Sequence, residues 1–473
     1  MASAAVLHLP TYLLENPFDL RSAIHHAGQQ ALAEVVETLM DQGDDKDFQA
    51  LSELLLKEGQ KITAAILSTA LKAKAEAVAK KAALCPSCGK PCKQHSQAPR
   101  TVESRHGEVT IERAYFYCEA CKVGFTPCDQ ALNLAPQRKQ YDLQAGAAQL
   151  LSRMPFDEAA DVFKYFTGQS LSNHGMHDLA SRLGEVARPE DVLPTRKTVE
   201  AVIEEYSAGK AWRPVLVVSA DGAHTPTRPE TGKRKGKRGP GSYQEAKGFR
   251  IYLVGQDRIE QIMSWHQIAN EQEFGEALKF AATLIPSDKV RIGLIADGAP
   301  WIWSHFNAVF PDGKEILDYY HCSEHIHKFA DIQYPDDENK QALWIEAAMA
   351  RLFFGDVSGV IWGLQRMQLE SVVAQKEAAN LIGYLQNNEH RIDYSSAKRG
   401  QYPIGSGAME SANKFIAHKR MKVSGAWWYK INGNRMLRLR CAMYNGTFDD
   451  VFARYKRLQI VEAIKPPRVS RNS

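Results

Sequence analysis

Ile292-Gly293-Leu294-Ile295-Ala296-Asp297-Gly298 decides the fold, because it repeats the pattern of an earlier stretch, Pro214-Val215-Leu216-Val217-Val218-Ser219-Ala220-Asp221-Gly222. Each is an apolar run bounded by turn residues, as in a core strand buried on both faces. Each closes on an aspartate followed by glycine. Asp is disfavoured inside strands, so an acid at a strand's end points into a cleft. Asp-Gly is also a common turn pair, and either site alone reads equally well as a turn. A third stretch adds weight: Gly405-Ser406-Gly407-Ala408-Met409-Glu410, where a Gly-flanked serine opens a helix-period run. Ser406 is the expected N-cap, which puts Glu410 in or just past the first turn, where the helix dipole favours a carboxylate. Asp221, Asp297 and Glu410 together predict a three-carboxylate metal site.

Outward from these stretches, residues 206–335 read as an α/β core. Arg250–Val254 and Gln261–Trp265 follow the first Asp strand as two more strands, and Glu271–Leu284 is a helix. After the second Asp strand come a helix at Pro300–Phe310 and a strand at Glu315–Tyr320. Three strands, a helix, a strand, a helix and a strand make a mixed sheet of the ribonuclease-H kind. Residues 336–398 are helix-patterned throughout and read as an all-helical insertion. Residues 399–460 supply closing helices, and 461–473 read as a disordered tail.

Upstream, residues 1–83 carry helical spacing from Asp47 onward, which suits a helical hairpin or a short dimerising coil. Residues 84–133 hold the strongest local motif, Cys85-Pro86-Ser87-Cys88 and Cys118-Glu119-Ala120-Cys121. Two C-x-x-C knuckles put four thiolates at tetrahedral reach around Zn²⁺, with strands at Thr101–Ser104 and Glu108–Tyr115 between them: a zinc ribbon. Four thiolates leave no open position, so the site is structural. Cys92 and Cys128 are extra. In residues 134–205, Phe156–Phe166 and Leu171–Leu183 are spaced as a helix-turn-helix, a pattern that many helical hairpins share without touching DNA.

A net charge of +4 over 473 residues is mild, so a nucleic-acid argument rests on where the charge sits. It sits in two places. Lys233, Arg234, Lys235, Lys237 and Arg238 form a Gly/Pro-rich basic tip, suited to phosphate or simply solvated. Residues 411–440 contain no acid but carry Lys414, Lys419, Arg420, Lys422, Lys430, Arg435, Arg438 and Arg440, interrupted by Trp427, Trp428 and Tyr429. Cations interleaved with aromatics able to stack on bases form a nucleic-acid face. No segment has the form of a signal peptide or a membrane span, and clustered cysteines suit metal ligation in a reducing compartment, which predicts a cytoplasmic protein.

His321-Cys322-Ser323-Glu324-His325 allows two readings. It matches the H-x-x-E-H of inverted zinc peptidases, with two His ligands and a Glu base. Alternatively Asp318 and His321 end a strand beside the acidic centre and orient substrate or a leaving group. The peptidase reading leaves Asp221, Asp297, the ribbon and the basic segments unexplained.

From the ribbon to about Asn445 the chain resembles bacterial insertion-sequence transposases of the ISKra kind, related in their catalytic domain to Mutator-type DDE transposases. The resemblance rests on Ser219-Ala220-Asp221-Gly222, Ile295-Ala296-Asp297-Gly298, Asp318-x-x-His321, Gly405-Ser406-Gly407 with Glu410-Ser411, and Arg420-Met421-Lys422 with Trp427 and Trp428. It implies a ribonuclease-H-like fold, Asp221, Asp297 and Glu410 as the catalytic triad, and Asp318 and His321 as auxiliary residues. It implies Mg²⁺ (or Mn²⁺) held by the triad, Asp221 bridging two ions. Transposon-end and target DNA would be the partners, with a homodimer or higher synaptic complex on the nucleoid. The rival of another class is a domesticated DNA-binding protein that no longer cuts, against which the three intact acids argue.

Overall fold

The computed structural model describes residues 17–81, 83–229, 241–255, 258–369 and 371–464. These fall into two compact units, residues 1–180 with 452–473 and residues 181–451. The boundary lies inside the helical segment expected at 134–205.

In the first unit, helices α1 (Pro17–Gln42) and α2 (Phe48–Ala79) pair as a hairpin, with the Asp47 carboxylate accepting the Ala50 N–H to start the second. α1 lies in a stretch where the sequence shows no clear pattern. Seven short strands follow: β1 (Ala83–Leu84), β2 (Pro91–Cys92), β3 (Gln94–Gln97), β4 (Arg100–Ser104), β5 (Gly107–Ile111), β6 (Ala114–Cys118) and β7 (Val123–Phe125). β1 pairs with β2, β4 with β5, and β3-β6-β7 form a sheet, all antiparallel. The strand expected over Glu108–Tyr115 is therefore two. It breaks at Glu112-Arg113, where Arg113 turns to donate to the Ala98 carbonyl and pair with Asp129. Ala75 of α2 packs with Val102, Val109, Ile111 and Cys128 into one small core. Helices α3 (Pro127–Ala131), α4 (Tyr141–Leu151), α5 (Phe156–Thr167) and α6 (Asn173–Val186) come next. Gly168 ends α5 in the left-handed conformation, φ 68°, which only glycine adopts without strain. Ser172 then accepts the Gly175 N–H and opens α6.

After α7 (Pro189–Val192) and α8 (Arg196–Ser207), the second unit builds its sheet from β8 (Val215–Arg228), β9 (Ser242–Val254), β10 (Ile259–Ile268), β11 (Arg291–Ala296) and β12 (Lys314–Leu317). The order is β10-β9-β8-β11-β12. β8, β9 and β10 run antiparallel, while β11 and β12 lie parallel to β8. The apolar runs are buried, as their composition requires: Leu216, Val217, Val218, Leu294 and Ile295 are all inaccessible. Helices α9 (Glu271–Thr283) and α10 (Pro300–Val309) cover one face through Phe274, which meets Phe249 of β9 and Trp301 edge-on.

The predicted strand Glu315–Tyr320 ends at Leu317, because Asp318 caps a helix, α11 (Tyr319–Gln333). The insertion is helical as expected: α12 (Glu338–Phe353), α13 (Val357–Arg366), α14 (Val372–Asn388) and α15 (Tyr394–Arg399). Then come α16 (Gly407–Asn413), a π-helical turn at Lys414–His418, α17 (Lys419–Met421), β13 (Trp428–Tyr429), α18 (Lys430–Asn445) and α19 (Phe448–Ile464), which belongs to the first unit from Phe452 onward. α18 is pinned to β10 by side-chain amides, Asn434 on the Ile268 backbone and Asn445 on that of Ser264. The tail expected from residue 461 is helical to Ile464, and its remainder lies outside the described residues, as do Lys233, Arg234, Lys235, Lys237 and Arg238. Among the described residues no helix is long and apolar enough to cross a membrane.

Candidate functional site

Parallel pairing of β8 and β11 brings the first two acids together. Ile295 lies opposite Ser219, and two residues further along each chain stand Asp297 and Asp221. Asp221 is not at a strand end, as its sequence context suggests, but midway along β8, paired with Gly248 of β9. The ladder explains the position: β11 pairs with β8 only as far as Ser219 and β13 joins β8 only at Thr227, so Asp221 falls in the gap between the two partners, where an acid is tolerated. Asp221 Oδ1 accepts the Gly222 N–H at 2.7 Å, and Oδ2 accepts an Asn413 Nδ2–H at 2.7 Å. Burial and the negative charges of Asp297 and Glu245 raise its pKa, against the Gly222 N–H and His321, which lower it. Asp297 Oδ1 accepts the Ala299 N–H at 2.9 Å, while its carbonyl holds the Trp303 indole.

Asp318 is 1% exposed and fully engaged. Its Oδ1 accepts the N–H groups of Tyr320 and His321 at 2.7 and 2.9 Å, and its Oδ2 accepts that of Ser406. The predicted cap at Ser406 thus works the other way: its hydroxyl makes no cap hydrogen bond, and its backbone N–H donates to the Asp318 carboxylate. Glu410 lies in the first turn of α16 with its side chain exposed. One turn later, Asn413 Oδ1 meets His266 Nε2 at 2.8 Å. Neither Asn413 nor His266 stands out in the sequence, because nothing in their local context marks them.

His321 sits in the first turn of α11, 3.4 Å from Glu324. The helix sets His325 one turn further on, stacked on Tyr384 at 4.0 Å. Among the described residues, only Cys85, Cys88, Cys118 and Cys121 form a group of three or more His, Cys, Asp or Glu whose ligand atoms all lie within 4.8 Å of one another. Neither His321 with Glu324 and His325 nor Asp221 with Asp297 and Glu410 makes such a group.

The four cysteines can hold a metal such as zinc. Cys88 and Cys118 sulfurs are 3.8 Å apart, and ligands about 2.3 Å from a tetrahedral Zn²⁺ are separated by about that distance. Both knuckles turn alike: Gly89 and Lys122, each following a second cysteine, have φ of 71° and 55°. Cys128 is a buried core residue, and Cys92 points its thiol to the Lys90 carbonyl.

Of the expected nucleic-acid face, Lys414, Lys419 and Lys422 are exposed, Arg435 and Arg438 half-buried. Arg438 donates to the Gly184 carbonyl and Arg435 pairs with Glu185. Arg420 is 3% exposed, packed over the ring of Trp428, itself buried and bonded to the Met421 carbonyl. Trp427 is 38% exposed and rests on Tyr243, an exposed aromatic that no sequence pattern marks.

No protein-family model matches the chain, and no curated protein matches it. Among solved structures, the Drosophila P element transposase strand transfer complex is matched at 10% identity and a TM-score of 0.25, over 69% of this chain and 81% of that one. A score that low carries no argument about fold or function.

Proposed function

We propose that the chain is a DDE-type DNA transposase that cuts at element ends and joins them to target DNA. One observation carries the reading: Asp221 and Asp297 stand side by side on β8 and after β11, and the helix bearing Glu410 is docked on the same strand through Asn413. The order β10-β9-β8-β11-β12, three antiparallel strands followed by two parallel ones, supports a ribonuclease-H-like fold. Hard oxygen donors whose charges repel suit divalent cations: Asp297 raises the pKa of Asp221, and a bound divalent cation would relieve that cost. Mg²⁺ or Mn²⁺ held by Asp221, Asp297 and Glu410 would supply activation of the attacking oxygen and stabilisation of the leaving one. Glu410 completes the set when its exposed side chain turns toward the pair. His321, which lowers the Asp221 pKa, would contact a phosphate at this site. Asp318 holds the loop leading into α16.

Lys414, Lys419 and Lys422 follow directly from Glu410, so the backbone they grip is delivered to the acids. Tyr243 and Trp427 offer a stacking platform, and the ribbon with the α5–α6 turn offers a separate DNA-binding module. Joining two ends requires a homodimer or larger synaptic complex. A second reading, DNA binding without cleavage, draws on the absence of the three acids from any group within 4.8 Å among the described residues. The test is incubation of the purified chain with DNA flanking its gene and Mg²⁺, followed by mapping of strand breaks. Discrete cuts lost in Asp221→Ala support the transposase. Binding without cuts supports the second reading, and neither binding nor cuts removes both.

A further inference from the structure

Three strands place Asp221, Gly248 and His266 in one row: Asp221 pairs with Gly248, and Gly248 with His266. Directly paired residues share a face of the sheet, so the carboxylate and the imidazole flank a glycine. Gly248 is required there, because a Cβ would collide with the His266 ring at Cδ2. Asn413, 3% exposed, bridges the two, 2.7 Å to Asp221 and 2.8 Å to His266.

Donor logic fixes every member of this chain. An ionised carboxylate only accepts, so Asn413 presents Nδ2–H to Asp221 and Oδ1 to His266. His266 must then donate from Nε2, leaving Nδ1 as a bare acceptor, and Nδ1 has no partner among the described residues. An unpartnered ring nitrogen in a fully buried imidazole is tolerated only without its proton. The imidazole is thus a neutral group locked in one tautomer, and it prevents the amide from flipping.

We infer that Asn413 is a positioning residue for the acidic site, held in register by His266, which aims the Asp221 carboxylate and fastens the Glu410 helix beside it. Glu410 is three residues before Asn413, on the same face of α16, so one amide sets the relation between two of the three acids. The inference rests on the reading of Asp221 as a metal-holding carboxylate.

The test is Mn²⁺ binding by the full chain, followed by electron paramagnetic resonance of the free ion with zinc already bound. Wild type, Asp221→Asn, Asn413→Ala, His266→Leu and His266→Gln are compared, each checked for folding by circular dichroism. Asn413→Ala and His266→Leu are expected to weaken Mn²⁺ about 10-fold or more, as loss of outer partners of metal ligands does. His266→Gln, whose amide can donate to Asn413 Oδ1, should restore most of what His266→Leu loses, which a merely space-filling imidazole would not predict. Should Asn413→Ala fail to fold, the Leu and Gln pair at 266 decides alone. Folded variants that bind Mn²⁺ as wild type does overturn the inference while leaving the acidic site standing. Wild type binding no more Mn²⁺ than Asp221→Asn overturns the metal reading and the inference with it.

Discussion

Asp318 and Ser406, 88 residues apart, are joined by a hydrogen bond from the Ser406 N–H to the Asp318 carboxylate. That single buried side chain caps α11 with one oxygen and holds the start of α16 with the other. Asp318→Ala should cost about 2–4 kcal/mol in urea unfolding, combining a lost N-cap with buried N–H groups left unpaired. Asp318→Asn keeps the cap but turns an NH₂ toward Ser406, and should cost less. If Asp318→Ala unfolds at the wild-type urea midpoint, Asp318 does not hold this loop.

Removal of any one acid should stop cleavage without stopping DNA binding. Asp221→Ala, Asp297→Ala and Glu410→Gln each leave the cations of 414–422 in place, so gel-shift affinity persists while strand breaks fall to background. A variant that cuts at the wild-type rate removes its residue from the site.

The thiolate cluster makes a separable prediction. About one Zn²⁺ per chain should co-purify, and Cys85→Ser or Cys118→Ser should lose it by elemental analysis. Cys128→Ser should keep it, since that thiol lies in the apolar core with Val102 and Ile111.

Burial pushes the His266 pKa down from 6.5 to about 4, the Asn413 hydrogen bond opposing and His418 adding to the fall. The unfolded chain therefore takes up this proton first. The stabilisation is complete above pH 6.5 and is lost as pH falls toward 4, about 3 kcal/mol in all. Chemical unfolding of wild type between pH 7 and 4 should lose that much more than His266→Gln does. Equal losses would place the titration elsewhere.

Cations of the 411–440 segment should divide by burial. Charge reversal at Lys414, Lys419 or Lys422 should weaken DNA binding and reduce its salt slope by about one unit for each phosphate no longer gripped. Arg420→Glu places a carboxylate in the packing against Trp428 and should unfold the unit instead. Trp428→Ala should cost about 3–5 kcal/mol, as core aromatics do. Trp427→Ala should melt near wild type and lower cleavage more than duplex binding. Thermal melts beside cleavage rates check each.

Local sequence located the apolar cores of strands β8 to β12, though not their ends, and the four thiolates. An apolar run must be buried wherever it goes, and C-x-x-C spacing brings its own two ligands together. The acids at 221, 297 and 410 are visible through their glycines, but not their relation. That depends on Ile295 pairing with Ser219, a register no window of sequence contains. The row Asp221, Gly248, His266 and its bridge Asn413 depends on three strands and a helix at once, so each residue looks ordinary alone. Arg420 and Arg440 mislead for the opposite reason. An acid-free run reads as a surface, yet the π-helical turn frees backbone carbonyls, and the buried Arg440 guanidinium satisfies those of Phe415 and Ile416. Charge is a property of the sequence, but whether that charge faces solvent or a carbonyl was decided only when the chain packed.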